Sequence, residues 1–97
     1  MIVLLERTFQ SKVIKELKTI FKDSIVLKLD AGYIQGIPDI LILNGEKWAV
    51  LEIKRDDKHK CQPNQKYYVE RMDKMSFARI VTPQNWKEVL NELQSAL

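Results

Sequence analysis

At 97 residues the chain has room for one modest hydrophobic core and no second one. Apolar residues make up 45% and charged residues 30%, with three glycines and three prolines, which excludes collagen-like, low-complexity and disordered chains. The formal net charge is +3, and a single cysteine (Cys61) with a single histidine (His59) excludes a disulfide framework and a zinc finger.

Residues 6–22 have a helical period, with Phe9, Val13, Leu17, Ile20 and Phe21 on one stripe and Lys12, Lys15, Lys18 and Lys22 mostly off it. Residues 24–30 read as a strand. Residues 31–36 read as a loop in which Gly32 and Gly36 allow tight turns or a close backbone approach. Two apolar runs, 38–43 and 46–54, flank Asn44-Gly45, a strong hairpin signal. Both runs are apolar on both faces, which predicts central strands covered from two sides. A charged loop over 55–61 leads to a second helix over 63–75, with Pro63 in its first turn. Residues 77–81 read as a short strand. Thr82 is then expected to cap a third helix, with Pro83 just inside and Trp86, Val89, Leu90 and Leu93 turned inward. The order α-β-β-β-α-β-α, without repeat or linker, predicts a single α/β domain over residues 1–97, a four-stranded mixed sheet flanked by helices.

The longest uncharged apolar runs, residues 1–5 and 40–43, fall far short of a membrane span. The first runs straight into Glu6-Arg7 and lacks the layout of a secretion signal, so a soluble protein in a reducing cytoplasm is expected, with no membrane partner. The charge is unevenly spread. Residues 1–22 carry five basic groups against two acidic, residues 23–53 two against five, and residues 54–79 eight against four. Basic flanks suit a polyanion such as nucleic acid, and the acidic middle would repel phosphate unless a cation sits between them. Lys12, Lys15, Lys58, Lys60 and Lys66 are the candidate contacts to such a polyanion. His59-Lys60-Cys61, adjacent in a charged loop, reads as inert rather than as a Cys/His nucleophile.

Four polar residues break the pattern of their own element. Glu6 falls near the middle of the stripe formed by Phe9, Val13, Leu17 and Ile20, where a carboxylate needs a cation or donors unless it is merely a first-turn acid favoured by the helix dipole. Glu52 and Lys54 end the otherwise apolar strand face of Trp48 and Val50, where the plain alternative is a structural salt bridge. Asp39 is placed by the hairpin. A two-residue Asn44-Gly45 turn pairs Leu43 with Glu46 and so Asp39 with Val50, a four-residue loop pairs Leu43 with Trp48 and so Asp39 with Glu52, and only a three-residue loop would separate the two acids. Either of the first two registers puts Asp39 on the Glu52 face, about 5–8 Å away at Cβ. Gln65 lies on the stripe of Tyr68, Val69 and Met72, where a buried amide wants a partner.

Two carboxylates on adjacent strand ends form a hard oxygen site suited to Mg²⁺, with Mn²⁺ as a substitute. A lysine beside them can position water and stabilise charge developing on a phosphate. No phosphate-binding loop, no Gly-x-Ser-x-Gly elbow and no histidine-rich metal set competes with that chemistry.

Pro38-Asp39, twelve residues, and then Glu52-Ile53-Lys54 resemble the signature of the PD-(D/E)xK nuclease superfamily. Glu6, thirty-three residues before Asp39, resembles that superfamily's additional acid on the first helix. Gly36-Ile37-Pro38-Asp39, Glu52-Ile53-Lys54, Gln65, and Glu6 followed by Gln10 look most like its virus-type replication-repair nuclease branch. The resemblance implies a restriction-endonuclease-like core and a Mg²⁺-dependent DNA endonuclease. In it Asp39, Glu52 and the Ile53 carbonyl would bind metal, and Lys54 would orient the attacking water. Glu6 would hold a second metal or its water, and Gln65 would support Lys54 or touch the scissile phosphate. Members of this size resemble phage or mobile-element enzymes that act on branched DNA, Holliday junctions or flaps, often as homodimers, here in a host cytoplasm. Trp86 and Leu97 are candidates for the apolar surface such a dimer would cover. The rival readings are a flap or sequence-specific nuclease of the same fold, a nucleic-acid-binding or assembly module without catalysis, and a structural ion-pair cluster.

Overall fold

A computed structural model describes residues 5–58 and 60–97; the rest of the apolar start and His59 of the His59-Lys60-Cys61 run lie outside the described residues. The elements are α1 (Glu6–Ile20), β1 (Ile25–Lys28), β2 (Ile40–Asn44), β3 (Lys47–Ile53), α2 (Pro63–Met75), β4 (Phe77–Val81) and α3 (Trp86–Ala96). The sheet order is β1-β2-β3-β4, with β1–β2 and β2–β3 antiparallel and β3–β4 parallel across the α2 connection. This is the expected α/β arrangement with its mixed four-stranded sheet.

The hairpin turn sits one residue later than Asn44-Gly45. Asn44 pairs with Lys47, leaving Gly45 and Glu46 as the turn, and Gly45 has φ of 65°. Only the first central residue is left-handed, the position at which such a turn needs glycine. This shift sets the whole register: Leu43 faces Trp48, and the last ladder pair is Ile40 with Leu51. One step beyond, Asp39 comes opposite Glu52.

The sheet separates two cores. On one face Ile40, Ile42, Ala49, Leu51 and Ile53 meet Phe9, Val13 and Leu17 of α1 and Trp86, Val89 and Leu93 of α3. On the other face Val50 and Ala78 meet Val69 of α2, with Leu41, Trp48, Met72 and Ile80 packed around them. Each fully buried Leu, Ile or Phe contributes roughly 1.5–3 kcal/mol, so the first, larger face carries most of the stabilisation. β3 is buried on both faces from Ala49 to Ile53, as its composition predicts. β2 departs from that expectation, because its second face is only partly covered. One helix is about 10 Å wide and strands are about 4.8 Å apart, so α2 shields two strands. It lies over β3 and β4, and Ile25 (56%) and Leu27 (42%) of β1 stay exposed beside Leu43.

Three smaller expectations are corrected. Ile20 is exposed because α1 ends there and the chain turns away. The third helix begins at Trp86 rather than at Pro83. Thr82 N–H donates to Asn85 Oδ1 (2.8 Å) and Asn85 N–H donates to Thr82 Oγ1 (3.2 Å), which closes a turn around Pro83 before the helix starts. Trp86 is 6% exposed, and its indole N–H donates to the Glu16 carboxylate. Trp86 is therefore core, Leu97 packs partly buried against that core, and the leftover apolar surface lies on β1 and β2.

Candidate active site

The site is built where β3 outruns β2. Continuing the register would set Pro38 opposite Ile53, but proline has no N–H to donate, so the ladder stops at Ile40–Leu51. Asp39 takes over: its Oδ2 accepts the Ile53 N–H at 2.7 Å. On the far side the Lys54 N–H donates to the Val81 carbonyl of β4 at 2.8 Å. Backbone groups alternate sides along a strand, so the Ile53 carbonyl points with its N–H toward Asp39. Pro38 offers that carbonyl no ladder donor. The sequence Gly-x-Pro-Asp thus ends one strand and dresses the end of the next.

Glu52 is 2% exposed, and its Oε1 is the one buried side-chain oxygen or nitrogen without a hydrogen-bond partner among the described residues. Its Oε2 lies 3.6 Å from Lys54 Nζ. Burial first, and then the neighbouring Asp39 charge, push the Glu52 carboxyl up to about 8; Lys54 opposes this and the Glu6 charge adds to it. Asp39 is also raised, mainly by burial, with the Ile53 N–H pulling the other way and Glu6 pushing up. Two carboxylates this close, in a dry place, do not both ionise unless positive charge joins them. The two acids are therefore short of a cation despite Lys54.

Lys54 is buried and donates from Nζ to Gln65 Oε1 at 2.8 Å. The same Oε1 accepts the Gln62 N–H at 2.9 Å, completing a capping box at the start of α2. Gln65 is half-buried and ties the lysine to the helix cap. Gly36 locks the other side. Its φ is 90°, and a Cβ there would lie 2.4 Å from Asn64 Cβ, so only glycine lets the 31–37 loop press against α2.

The remaining expected residues are more dispersed. Glu6 is not in the core: it opens α1 and is exposed, because α1 meets the sheet only from Phe9 onward. It still stands near enough for its charge to raise both Asp39 and Glu52. Lys60 and Lys66 line one cavity of about 610 Å³, together with Cys61, Thr82 and Asn85. Burial pushes the Cys61 thiol up, which keeps it protonated. Lys58 is exposed in the same loop. Lys12 and Lys15 are exposed on α1, the helix that packs on the sheet face opposite α2, so they are not brought into the Lys60–Lys66 groove.

The donor set can be tested against the ion that the resemblance implies. No group of three or more His, Cys, Asp and Glu side chains able to hold a metal is assembled among the described residues. Mg²⁺, however, keeps several waters and takes one or two protein carboxylates. Asp39, the unpartnered Glu52 Oε1 and the Ile53 carbonyl fit that demand. Sequence periodicity assigns no role to Tyr33, which is 86% exposed in the 31–36 loop. The available signal was an aromatic between two glycines, with no period to bury it. Compared with protein-family models and with curated proteins, the chain matches none.

Proposed function

We propose that the chain is a small Mg²⁺-dependent DNA endonuclease that hydrolyses phosphodiester bonds, selective for branched DNA. The observation that carries this reading is the buried, unpartnered Oε1 of Glu52, a residue that shares its strand face with Asp39, with Lys54 Nζ held 3.6 Å from its other oxygen. Asp39, Glu52 and the Ile53 carbonyl would hold the cation, which when bound would neutralise charge on the phosphate and lower the pKa of bound water. An ammonium has three donors. Gln65 Oε1 takes one from Lys54 and Glu52 Oε2 faces a second, leaving the third for the attacking water or a non-bridging phosphate oxygen. Gln65 acts through Lys54, holding its Nζ in place from the cap of α2. Glu6 acts through its charge, favouring a cation or an ordered water on the open side. Lys60 and Lys66, which line the groove beside α2, would meet the DNA backbone. A homodimer with two such sites would suit the two equivalent strands of a symmetric junction.

The test is cleavage of labelled four-way, flap, splayed and linear DNAs in Mg²⁺ and in EDTA. Cleavage of the branched forms in Mg²⁺, abolished by EDTA and by Asp39→Asn, is expected. Full activity in excess EDTA would overturn the reading. Tight DNA binding without cleavage under every metal condition would favour the non-catalytic module.

A further inference from the structure

We propose that Tyr33 and the notch behind it seat one unpaired nucleobase beside the cleavage site; this rests on the nuclease reading only for the position of the phosphate. The notch has a volume of about 430 Å³ and is lined by Leu29, Asp30, Tyr33, Ile34 and Ile37. That volume falls within the roughly 300–1,000 Å³ of small-ligand sites. Its wall is continuous with the site, since the Leu29 N–H donates to the Asp39 carbonyl at 2.8 Å. A strand with its phosphate at Asp39 and Glu52 therefore carries a neighbouring base past this loop.

The loop is braced rather than slack. Gly32 N–H donates to Asp30 Oδ1 at 2.7 Å, Tyr33 N–H to the Asp30 carbonyl at 3.1 Å, and Ile37 N–H to the Ile34 carbonyl at 3.2 Å. Held on this frame, Tyr33 is 86% exposed, so most of its surface is covered by nothing among the described residues. Leu29, Ile34 and Ile37 add an apolar wall, and every base has a π-face that stacks on such a ring. A base inside a duplex is already stacked on both faces and paired along its edge and cannot enter, so the seat selects DNA with an unpaired nucleotide. Asp30 supplies a polar end. One of its oxygens is committed to Gly32, and the other can accept a hydrogen bond from an exocyclic amine. Cytosine, adenine and guanine carry that amine and thymine does not.

The experiment uses the full chain and a forked duplex with 2-aminopurine in the unpaired arm next to the fork. The control is a fully paired duplex carrying the same label. Binding is followed by fluorescence in Ca²⁺ without Mg²⁺, so cleavage is not the readout. Wild type should quench the unpaired label and bind the fork more tightly than the duplex. Tyr33→Ala should weaken fork binding roughly 5- to 100-fold, the scale of one lost base–aromatic stack, and remove the quench. Tyr33→Phe should retain both, and duplex affinity should not change in either variant. Because the ring is exposed, neither substitution strips the core, and an unchanged thermal melt verifies that. Equal quench and equal fork affinity in Tyr33→Ala would overturn the proposal, as would a wild type with no preference for the fork. The two readings fail separately. A base seat that survives in a chain that cuts nothing in Mg²⁺ sinks the nuclease alone. Cleavage of fork and duplex untouched by Tyr33→Ala sinks the seat alone.

Discussion

Replacing Glu52 by glutamine should stabilise the metal-free protein at high pH. The Glu52 carboxyl moves from an ordinary value of 4.5 to about 8 in the fold. Between those values the folded chain keeps a proton that the unfolded chain has released, so stability is complete below about 4.5 and is lost as pH rises through 8. At 1.36 kcal/mol per pH unit, a rise of about 3.5 units is an upper bound of about 5 kcal/mol. Glutamine escapes that penalty but must still find partners beside Lys54 Nζ, which leaves roughly 2–4 kcal/mol. In a domain of this size that is about 10–25 °C in melting temperature. The assay is thermal unfolding of wild type and Glu52→Gln in EDTA at pH 5 and pH 9. The melts should nearly coincide at pH 5, and the variant should melt well above wild type at pH 9. Taking the difference between the two proteins removes groups that titrate independently and keeps the coupling to Asp39. Mg²⁺ at 100 times its dissociation constant should then raise wild-type stability by about 2.7 kcal/mol and the variant's far less. A variant that melts below wild type at pH 9 would show that Glu52 is already well paired. Equal responses to Mg²⁺ would put the cation elsewhere.

Asp39→Asn should abolish cleavage while its side-chain carbonyl still accepts the Ile53 N–H; Asp39→Ala leaves that N–H without its partner and should cost roughly 1–3 kcal/mol more in denaturant unfolding. Lys54→Ala should cut the single-turnover rate roughly 10²–10⁴-fold with DNA affinity in Ca²⁺ retained, and arginine should not restore it; near-normal cleavage below an early melt would make Lys54 scaffold only. Lys60→Ala and Lys66→Ala should each lower the salt slope of log K by about 1 with little change in chemical rate, and Lys12→Ala on the opposite layer should do less; the reverse ranking would route the DNA over α1. Light scattering at micromolar concentration should show twice the 11.4 kDa chain mass, and Leu27→Glu on the open half of the sheet should reduce it; a monomer with and without DNA would refute the dimer.

Much of the scaffold follows from local signals. Pro63 presets the first turn of α2, and the short apolar run after Ser76 reads as a strand, so both the second helix and β4 fall where the sequence puts them. The apolar β3 likewise reads as a central strand covered from both sides. Asp39 and Glu52 sharing a face was also legible, since either even register of the hairpin gives it. Which register holds was not, because Asn-Gly leaves two placements for the turn and only strand pairing selects Gly45-Glu46. Glu6 shows the converse error: helical phase puts it on the apolar stripe, but phase says nothing about whether the sheet extends far enough to cover that turn.

The sequence by itself determined the order of elements, the faces of the strands, and the residue types gathered near Asp39, because dihedral preference and side-chain periodicity are set by neighbours in the chain. Tertiary structure alone decided that Glu52 Oε1 is buried without a partner and that Lys54 is held by the cap of α2. It also decided that Gly36 is needed against Asn64 and that Ile25 and Leu27 are bare. Each of these depends on where α2 and α3 land on the sheet. A helix one diameter wide covers two strands and leaves two open, and no local pattern records which two.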